Sequence, residues 1–265
     1  MTQRITGVFT GNDSELTGFV RGSGPGLVLA HGASSDVEDS FGEVAERLAA
    51  TNTVVAPNYP GSGETPRSLT PLTLDRLADG LAAAATQAGQ QRFAVLGFST
   101  GTAVAVRLAT RHPERVTALV LSAGLAYPNA RLRLVIQTWR RLAAAGDPES
   151  LAAYLILLGW SPHWLEQHSA AEIGELAAAI GPALPPGADD QLDLLTRVDV
   201  RADLAAIRVP TLVVAARHDL VVSAAHTREL AAGIPDAQLT ELDSGHALAS
   251  ERPGEWAQTV ADFLG

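Results

Sequence analysis

Short apolar runs alternate along the chain with longer segments that have a helical repeat. The runs lack the regular alternation of apolar and polar residues that a half-exposed strand shows, so we expect strands that are covered on both faces. They occupy residues 28–30, 54–56, 93–96, 118–121, 211–214 and 238–242.

The segments between these runs predict helices, because their apolar residues recur at helical spacing. The segment at 100–111 stops at His112-Pro113, where proline cannot continue a helix. The predicted helices cover residues 41–50, 74–88, 100–111, 224–232 and 253–264. Alternation of strands and helices indicates an α/β fold with a mostly parallel, twisted sheet of about eight strands and helices on both faces.

Two further strands are predicted near the start of the chain, at residues 5–8 and 16–20. The turn residues Gly11-Asn12-Asp13 lie between them. We therefore expect an antiparallel hairpin at one edge of the sheet.

The rhythm changes in the middle of the sequence, where residues 125–205 predict helices only. Breaks are expected at residues 146–148, 161–162 and 182–187, where glycine, proline and serine cluster. An all-helical block inside an α/β pattern is typical of an inserted cap. We expect a core formed by residues 1–124 and 206–265, with residues 125–205 as the cap.

Composition narrows the function classes. Hydrophobic residues make up 46% and charged residues 18% of the chain, which excludes intrinsic disorder. The net charge of −10 and the absence of a dense basic patch argue against a nucleic-acid partner. Four arginines alternate with apolar residues in one segment, as on the exposed face of an amphipathic helix. They are Arg131, Arg133, Arg140 and Arg141.

The chain contains no cysteine, which excludes disulfides, thiolate zinc sites, iron–sulfur clusters and a cysteine nucleophile. The first ten residues have no apolar segment of the secretory type. No stretch approaches the roughly 18 apolar residues of a membrane span. We expect a soluble, cytoplasmic protein with no membrane partner; the sequence carries no signal of its oligomeric state.

The strongest chemical signal is Gly97-Phe98-Ser99-Thr100-Gly101, a G-x-S-x-G motif between an apolar strand and an apolar helix. A serine on such a tight turn exposes its hydroxyl at the carboxyl edge of the sheet, and the glycines leave room for the strained backbone. Ser99 is therefore the candidate nucleophile. An ordinary loop serine acting as a helix cap is the alternative interpretation.

A serine nucleophile needs a base and a group that orients the base. The candidate base is His246, in the loop after the strand at 238–242, and the candidate orienting acid is Asp219, just past the strand at 211–214. His31-Gly32-Ala33 ends another strand, and its loop can offer the N–H of Ala33 opposite that of Thr100 as an oxyanion hole. We interpret His31 as a bracing residue of this loop.

These elements resemble the α/β-hydrolase fold superfamily, and within it the cap-bearing serine esterase and lactonase group, including enol-lactonase-like sequences. The order Ser99, Asp219, His246 fits that fold. Further matches are His31-Gly32-Ala33, residues 58–63, 97–101, 112–116 and 209–211, and Gly245-His246. Asn58 departs from the family pattern, in which aspartate is frequent at that position. The resemblance implies a Ser99–His246–Asp219 triad, an oxyanion hole from Ala33 and Thr100, and no need for a metal or organic cofactor.

The hypothesis from sequence is hydrolysis of a small hydrophobic ester or lactone through an acyl-enzyme intermediate. Trp139, Trp160 and Trp164 in the cap are candidate pocket residues, and core packing is the alternative role for each. Thioester or carbon–carbon bond hydrolysis would use the same triad. A cyclase, a lyase or a small-ligand-binding protein on the same scaffold is the hypothesis from another class.

Overall fold

The computed structural model describes residues 9–11, 14–180 and 184–265. Within them, β1 (Phe9–Gly11) and β2 (Ser14–Leu16) form a separate antiparallel pair. The main sheet has seven strands, close to the predicted eight. They are β3 (Gly18–Arg21), β4 (Gly26–Ala30), β5 (Thr53–Pro57), β6 (Phe93–Phe98), β7 (Val116–Ser122), β8 (Thr211–Ala216) and β9 (Gln238–Leu242).

The main sheet has the strand order β3-β5-β4-β6-β7-β8-β9. Strand β3 runs antiparallel to β5, and every other neighbouring pair is parallel. Parallel strands place their carboxyl ends at one edge of the sheet, so the loops after β4, β6, β8 and β9 meet there. The predicted mostly parallel sheet is confirmed.

Both faces of the sheet are covered by helices. Side chains of β4 alternate between two apolar clusters, Val28 on one face and Leu27 and Leu29 on the other. Their burial is complete, which explains the continuous apolar runs in the sequence. The covering helices are α1 (Val37–Leu48), α2 (Leu74–Gln87), α3 (Thr100–Arg111), α10 (Ala224–Ala232), α11 (Leu248–Glu251) and α12 (Pro253–Leu264).

The amino-terminal hairpin differs from the prediction. The expected strand at 5–8 and the turn residues 12 and 13 lie outside the described residues. The expected single strand at 16–20 is wrong, because the chain breaks at Thr17 and continues as β3 on the main sheet. After the break, Gly18 lies so close to the neighbouring strand that a Cβ there would stand 2.1 Å from the carbonyl oxygen of Ala56.

Every described element between β7 and β8 is helical, as the sequence predicts. These elements are α4 (Ala130–Ala144), α5 (Pro148–Gly159), α6 (Pro162–Glu166), α7 (Ala170–Ile180), α8 (Ala188–Arg197) and α9 (Arg201–Leu204). We call them the helical insertion. Side chains of Asn129, Asp147 and Ser161 accept amide hydrogen bonds at the starts of α4, α5 and α6. The predicted break at 182–187 lies partly outside the described residues.

Helix α4 has two different faces. Leu132, Val135 and Ile136 are buried, whereas Arg131 and Arg133 are exposed, which is the amphipathic arrangement predicted from sequence. Among the described residues, none of the helices combines the length and the apolar character that a bilayer crossing requires.

Candidate active site

The turn from β6 into α3 holds Ser99 in an uncommon backbone conformation. Its φ is 53° and its ψ is −122°, a region that residues with a Cβ rarely adopt. Two glycines make this turn sterically possible. A Cβ on Gly101 would lie 1.9 Å from the carbonyl oxygen of Ala30, and one on Gly97 would lie 2.6 Å from that of Gly101.

The side chains of Ser99, His246 and Asp219 form one continuous line of hydrogen bonds. The Ser99 Oγ lies 3.0 Å from the His246 Nε2, and the His246 Nδ1 lies 2.6 Å from the Asp219 Oδ2. In this arrangement Nδ1–H donates to the carboxylate, so Nε2 is left to accept the hydroxyl proton. Residues that are 147 and 27 positions apart in sequence thus meet at one edge of the sheet.

Asp219 is held as an acceptor by the backbone. Its side chain is fully buried, and its Oδ1 accepts hydrogen bonds from the N–H groups of Val221 at 2.8 Å and Val222 at 2.7 Å. These amides fix the carboxylate so that Oδ2 faces the imidazole. An oriented buried carboxylate stabilises the positive charge that the imidazole gains when it takes a proton.

Aromatic rings pack beneath the imidazole of His246. The ring of Phe98 lies 5.0 Å from it between centroids, and Trp256 and Phe41 pack behind Phe98. The Trp256 Nε1–H donates to the Ser122 Oγ at 3.0 Å. This cluster restricts the imidazole on the side facing the core.

The two backbone N–H groups predicted to form an oxyanion hole belong to Thr100 and Ala33. Thr100 is the first residue of α3, where helix amides lack intrahelical acceptors, and the N–H of Ala33 follows the end of β4. Neither amide has an acceptor among the described residues. The helix dipole adds a positive partial charge at the same end of α3.

His31 braces the loop that carries Ala33. Its Nδ1–H donates to the carbonyl oxygen of Gly32 at 2.8 Å, and its Nε2 accepts from the N–H of Tyr59 at 2.8 Å. The imidazole is fully buried and stacks on the Tyr59 ring. Burial lowers the pKa of His31 to about 4, so the ring stays neutral. This is the bracing role expected from the sequence.

A cavity of about 300 Å³ opens above Ser99 and His246. Apolar side chains of α4, α5 and α8 form one wall, and the loop after β4 with the start of α1 forms a polar wall. Trp139 and Trp160 line the cavity. Trp164 does not reach it, since its ring lies in α6 and stacks on His168 with 3.6 Å between centroids.

A second depression, of about 1100 Å³, lies on the outer side of α4. Its wall includes Arg133, Leu134 and Arg140 but none of the three residues predicted to be catalytic. Among the described residues, no three histidine, aspartate or glutamate side chains cluster as metal ligands. The residues predicted to be catalytic therefore lie at the smaller cavity and not at this depression.

The remaining histidines lie in other contacts. His112 pairs with Asp79, His218 pairs with Asp243, and His226 is buried beside the Tyr127 ring. His163 of α6 contacts Gln167, and His168, just after α6, contacts the carbonyl oxygen of Trp164. Only His246, of the histidines, is hydrogen-bonded to Ser99 in the described part of the chain.

The sequence reasoning missed several residues around the site. Gln191 of α8 bonds to the loop after β4, and Glu251 of α11 bonds to the residue before His246. Asp36 and Asp39, at the start of α1, line the cavity. None of these residues stands in a motif, and their partners are distant in sequence or depend on how the helical insertion packs.

Comparison with known proteins places this chain among enzymes. The sequence profile of the alpha/beta hydrolase fold matches residues 25–253. Pyrrolizixenacetamide deacetylase from Xenorhabdus hominickii is 31% identical over 95% of this chain and 95% of its own length. A protein from Azorhizobium caulinodans with the provisional name carbamate hydrolase RutD is 29% identical over 96% of this chain and 97% of its own length.

Solved structures give the same assignment. A hydrolase from Pseudomonas aeruginosa PA01 superposes with a TM-score of 0.83 and 25% identity, covering 100% of this chain and 98% of that one. The enol-lactonase from Burkholderia xenovorans LB400 has a TM-score of 0.82 and 23% identity, covering 96% and 98% of the two chains. At that identity the second likeness shows the fold alone.

We predict a pH-dependent stability that originates at His31. The buried ring has a pKa of about 4, whereas an unfolded histidine titrates near 6.5. The contribution of His31 to the free energy of unfolding is fully present above the pKa of the unfolded histidine. It falls as the pH drops toward 4, because the histidine then binds a proton in the unfolded chain but not in the folded one. By pH 5 the expected loss is about 2 kcal/mol.

Urea unfolding at pH 7.5 and pH 5 measures this loss. In the His31→Gln variant, the free energy of unfolding should depend less on pH than in the wild type. His163 is exposed, so His163→Gln is the matched control and should keep the wild-type pH dependence. Equal pH dependence in the wild type and His31→Gln would contradict the assignment.

Proposed function

The chain belongs to the α/β-hydrolase fold family, and within it we propose a serine hydrolase that cleaves a small, hydrophobic ester or lactone through an acyl-enzyme intermediate. The observation that carries this proposal is the hydrogen-bonded line from Ser99 through His246 to Asp219 at the floor of a cavity. A binding protein has no need of a base aligned on a strained serine.

In the first step, the Ser99 Oγ attacks the carbonyl carbon while the His246 Nε2 takes the hydroxyl proton. The carbonyl π electrons move to the oxygen, and the N–H groups of Ala33 and Thr100 stabilise the resulting oxyanion. Asp219 stabilises the imidazolium. The tetrahedral intermediate then collapses, the bond to the leaving group breaks, and the leaving group takes the proton from His246.

In the second step, water replaces the leaving group. His246 takes a proton from water as the water oxygen attacks the acyl carbon, and the same two N–H groups receive the oxyanion again. Collapse breaks the bond to the Ser99 Oγ, which recovers its proton from His246. The acid leaves and the enzyme returns to its starting state.

The apolar wall of the cavity favours a hydrophobic acyl or ring-bearing group. Side chains of Leu132, Val135, Trp139 and Leu192 face it, and the volume of about 300 Å³ suits a small substrate. Ligand pockets commonly combine such walls with few polar groups.

The charges around the cavity favour a substrate without a carboxylate. Asp36 and Asp39 line it, and none of the arginines in the described part of the chain does. The full sequence contains no lysine. Desolvation, together with the neighbouring Asp36, raises the pKa of Asp39, although Asp39 is an exposed residue. Two arginines of α4 have partners outside the cavity, since Arg133 donates to the carbonyl oxygen of Thr196 and Arg140 pairs with Asp189.

The relatives widen the range of leaving groups. The name of one describes a deacetylase, and that of the other describes carbamate hydrolysis. Amides and carbamates react through the same acyl chemistry as esters, with nitrogen instead of oxygen in the broken bond. The substrate panel for this protein therefore includes esters, lactones, acetamides, carbamates and thioesters.

Replacement of the nucleophile tests the mechanism. Ser99→Ala should lower kcat on any substrate of the panel at least about a thousandfold, because the covalent route is lost while the fold remains. Ser250→Ala is the matched control, since Ser250 also lines the cavity. A folded Ser99→Ala variant with a near-normal rate would rule out the acyl-enzyme mechanism.

Charge discrimination tests the substrate class. We expect 4-nitrophenyl butanoate to have a kcat/KM at least about tenfold above that of the 4-nitrophenyl monoester of succinic acid, because Asp36 and Asp39 repel its carboxylate. Asp39→Asn should narrow this ratio, whereas Asp190→Asn, outside the cavity, should leave it unchanged. Preference for the succinyl ester would overturn the assignment.

The two neighbouring tryptophans of the insertion should behave differently. Trp160→Ala enlarges the cavity, so we expect the preferred acyl chain to lengthen. Trp164→Ala should lower Tm without changing the chain-length profile, since its ring packs on His168. Rates on a series of 4-nitrophenyl esters, measured beside thermal unfolding, separate these outcomes. An unchanged profile for Trp160→Ala would argue against its pocket role.

A further inference from the structure

Gln191 connects the helical insertion to the loop that carries the predicted oxyanion donor. Its side chain is buried, with 2% of the residue exposed. The Oε1 accepts from the N–H of Ser34 at 2.8 Å, and the Nε2 donates to the Ser62 Oγ at 2.7 Å. Ser34 directly follows Ala33 and has a φ of 57°, so this amide hydrogen bond stabilises a strained backbone.

The start of α8 lies directly on a second loop of the core. The N–H of Gly187 donates to the carbonyl oxygen of Gly61 at 2.9 Å. A Cβ on Gly187 would stand 2.7 Å from the Gly61 Cα. Two backbones therefore touch with no side chain between them, which sets the position of Gln191 one helical turn further on.

Glu251 makes the equivalent connection to the loop that carries His246. Its Oε1 accepts from the N–H of Gly245 at 2.9 Å and from that of Ser161 at 2.8 Å, and its Oε2 accepts from the Ser161 Oγ at 2.6 Å. On the other side of His246, the N–H of Ala247 donates to the carbonyl oxygen of Gly159 at 2.8 Å. Both neighbours of His246 are thus tied to the turn between α5 and α6.

The same turn leaves no room for a side chain at Gly245. A Cβ there would lie 2.6 Å from both the Gly159 carbonyl oxygen and the Ser161 nitrogen. This close approach places Trp160, which lines the cavity, directly beside the loop of His246. The loop of His246 is therefore in direct backbone contact with the turn between α5 and α6.

We propose that Gln191 and Glu251 are positioning residues, through which the helical insertion fixes the oxyanion loop and the His246 loop in their reactive geometry. This inference rests on the proposed function, because it assigns the two side chains a role in that reaction. The insertion then does more than cover the substrate, since the core loops depend on it for their alignment. Neither side chain acts on the substrate.

Removal of either side chain should affect the transition state more than substrate binding. Gln191→Met and Glu251→Ala leave amide donors without acceptors, so the loops shift toward other partners. Since small misplacements of catalytic groups are costly, we expect kcat on 4-nitrophenyl butanoate to fall about tenfold or more. KM should stay within about twofold, because the apolar wall that binds the substrate is unchanged.

Matched variants separate positioning from stability. Asp190→Asn breaks the ion pair with Arg67, a contact between the same helix and the core that lies away from the loop of Ala33, and should leave kcat unchanged. Glu251→Gln keeps an oxygen acceptor for the N–H groups of Gly245 and Ser161, and should recover most of the lost kcat. Thermal unfolding of every variant shows whether the rates refer to folded protein.

The outcomes are distinct. The proposal is overturned if Gln191→Met and Glu251→Ala fold and keep the wild-type kcat, whatever their Tm. It is also overturned if Asp190→Asn loses as much kcat as these two variants. If either variant does not fold, Gln191→Asn and Glu251→Asp carry the same test, since each is one methylene too short and should lower kcat at least about threefold. Wild-type protein that turns over no substrate of the panel would instead reject the proposed function.

Discussion

The site depends on one steric constraint, the close approach of helix α3 to the end of β4. Gly101 lies so near Ala30 that no side chain fits between them, and this contact holds Ser99 at a positive φ. The strained turn presents the hydroxyl at the carboxyl edge of the sheet, where parallel strands deliver the other loops. Without that approach, Ser99 would not share an edge with His246 in a reactive orientation.

The chemistry is distributed between the core and the helical insertion. In the proposed mechanism, the core supplies the nucleophile, the base, the acid and the oxyanion donors, all from loops at one edge of the sheet. The insertion supplies the apolar wall and the Gln191 side chain that holds the loop of Ala33. Glu251 of α11, in the core, ties the loop of His246 to the insertion. Substitutions in the insertion can therefore change the shape of the pocket. The loops of Ala33 and His246 are held in place only if the insertion still docks on the core in the same way.

Much of the fold could be predicted from sequence because its signals are local. Buried parallel strands read as apolar runs, and helices α3, α10 and α12 occur within the bounds that periodicity indicated. Ser99 could be proposed as the nucleophile because its turn needs glycines at fixed spacing. His246 and Asp219 could be proposed as its partners because each follows a strand whose carboxyl end reaches the same edge.

Other features of the fold and the site could not be predicted from the sequence, because they depend on tertiary packing. Trp164 and Trp160 are four residues apart in the insertion, yet only Trp160 reaches the cavity, and that difference depends on how α6 is oriented. Gln191 contacts Ser34 across 157 positions, and no local pattern records such a pair. The break at Thr17 likewise depends on tertiary packing, since the following Gly18 lies against a neighbouring strand.

The most direct measurement of the central claim is a rapid-mixing experiment with 4-nitrophenyl butanoate, followed by acid quench and peptide mapping by mass spectrometry. The account predicts a burst of nitrophenol when deacylation limits turnover, and a butanoyl group on the peptide that contains Ser99 when the intermediate is trapped. A butanoyl group on a residue other than Ser99 would contradict the acyl-enzyme mechanism. The same holds if the quenched enzyme shows a full burst but carries no butanoyl group.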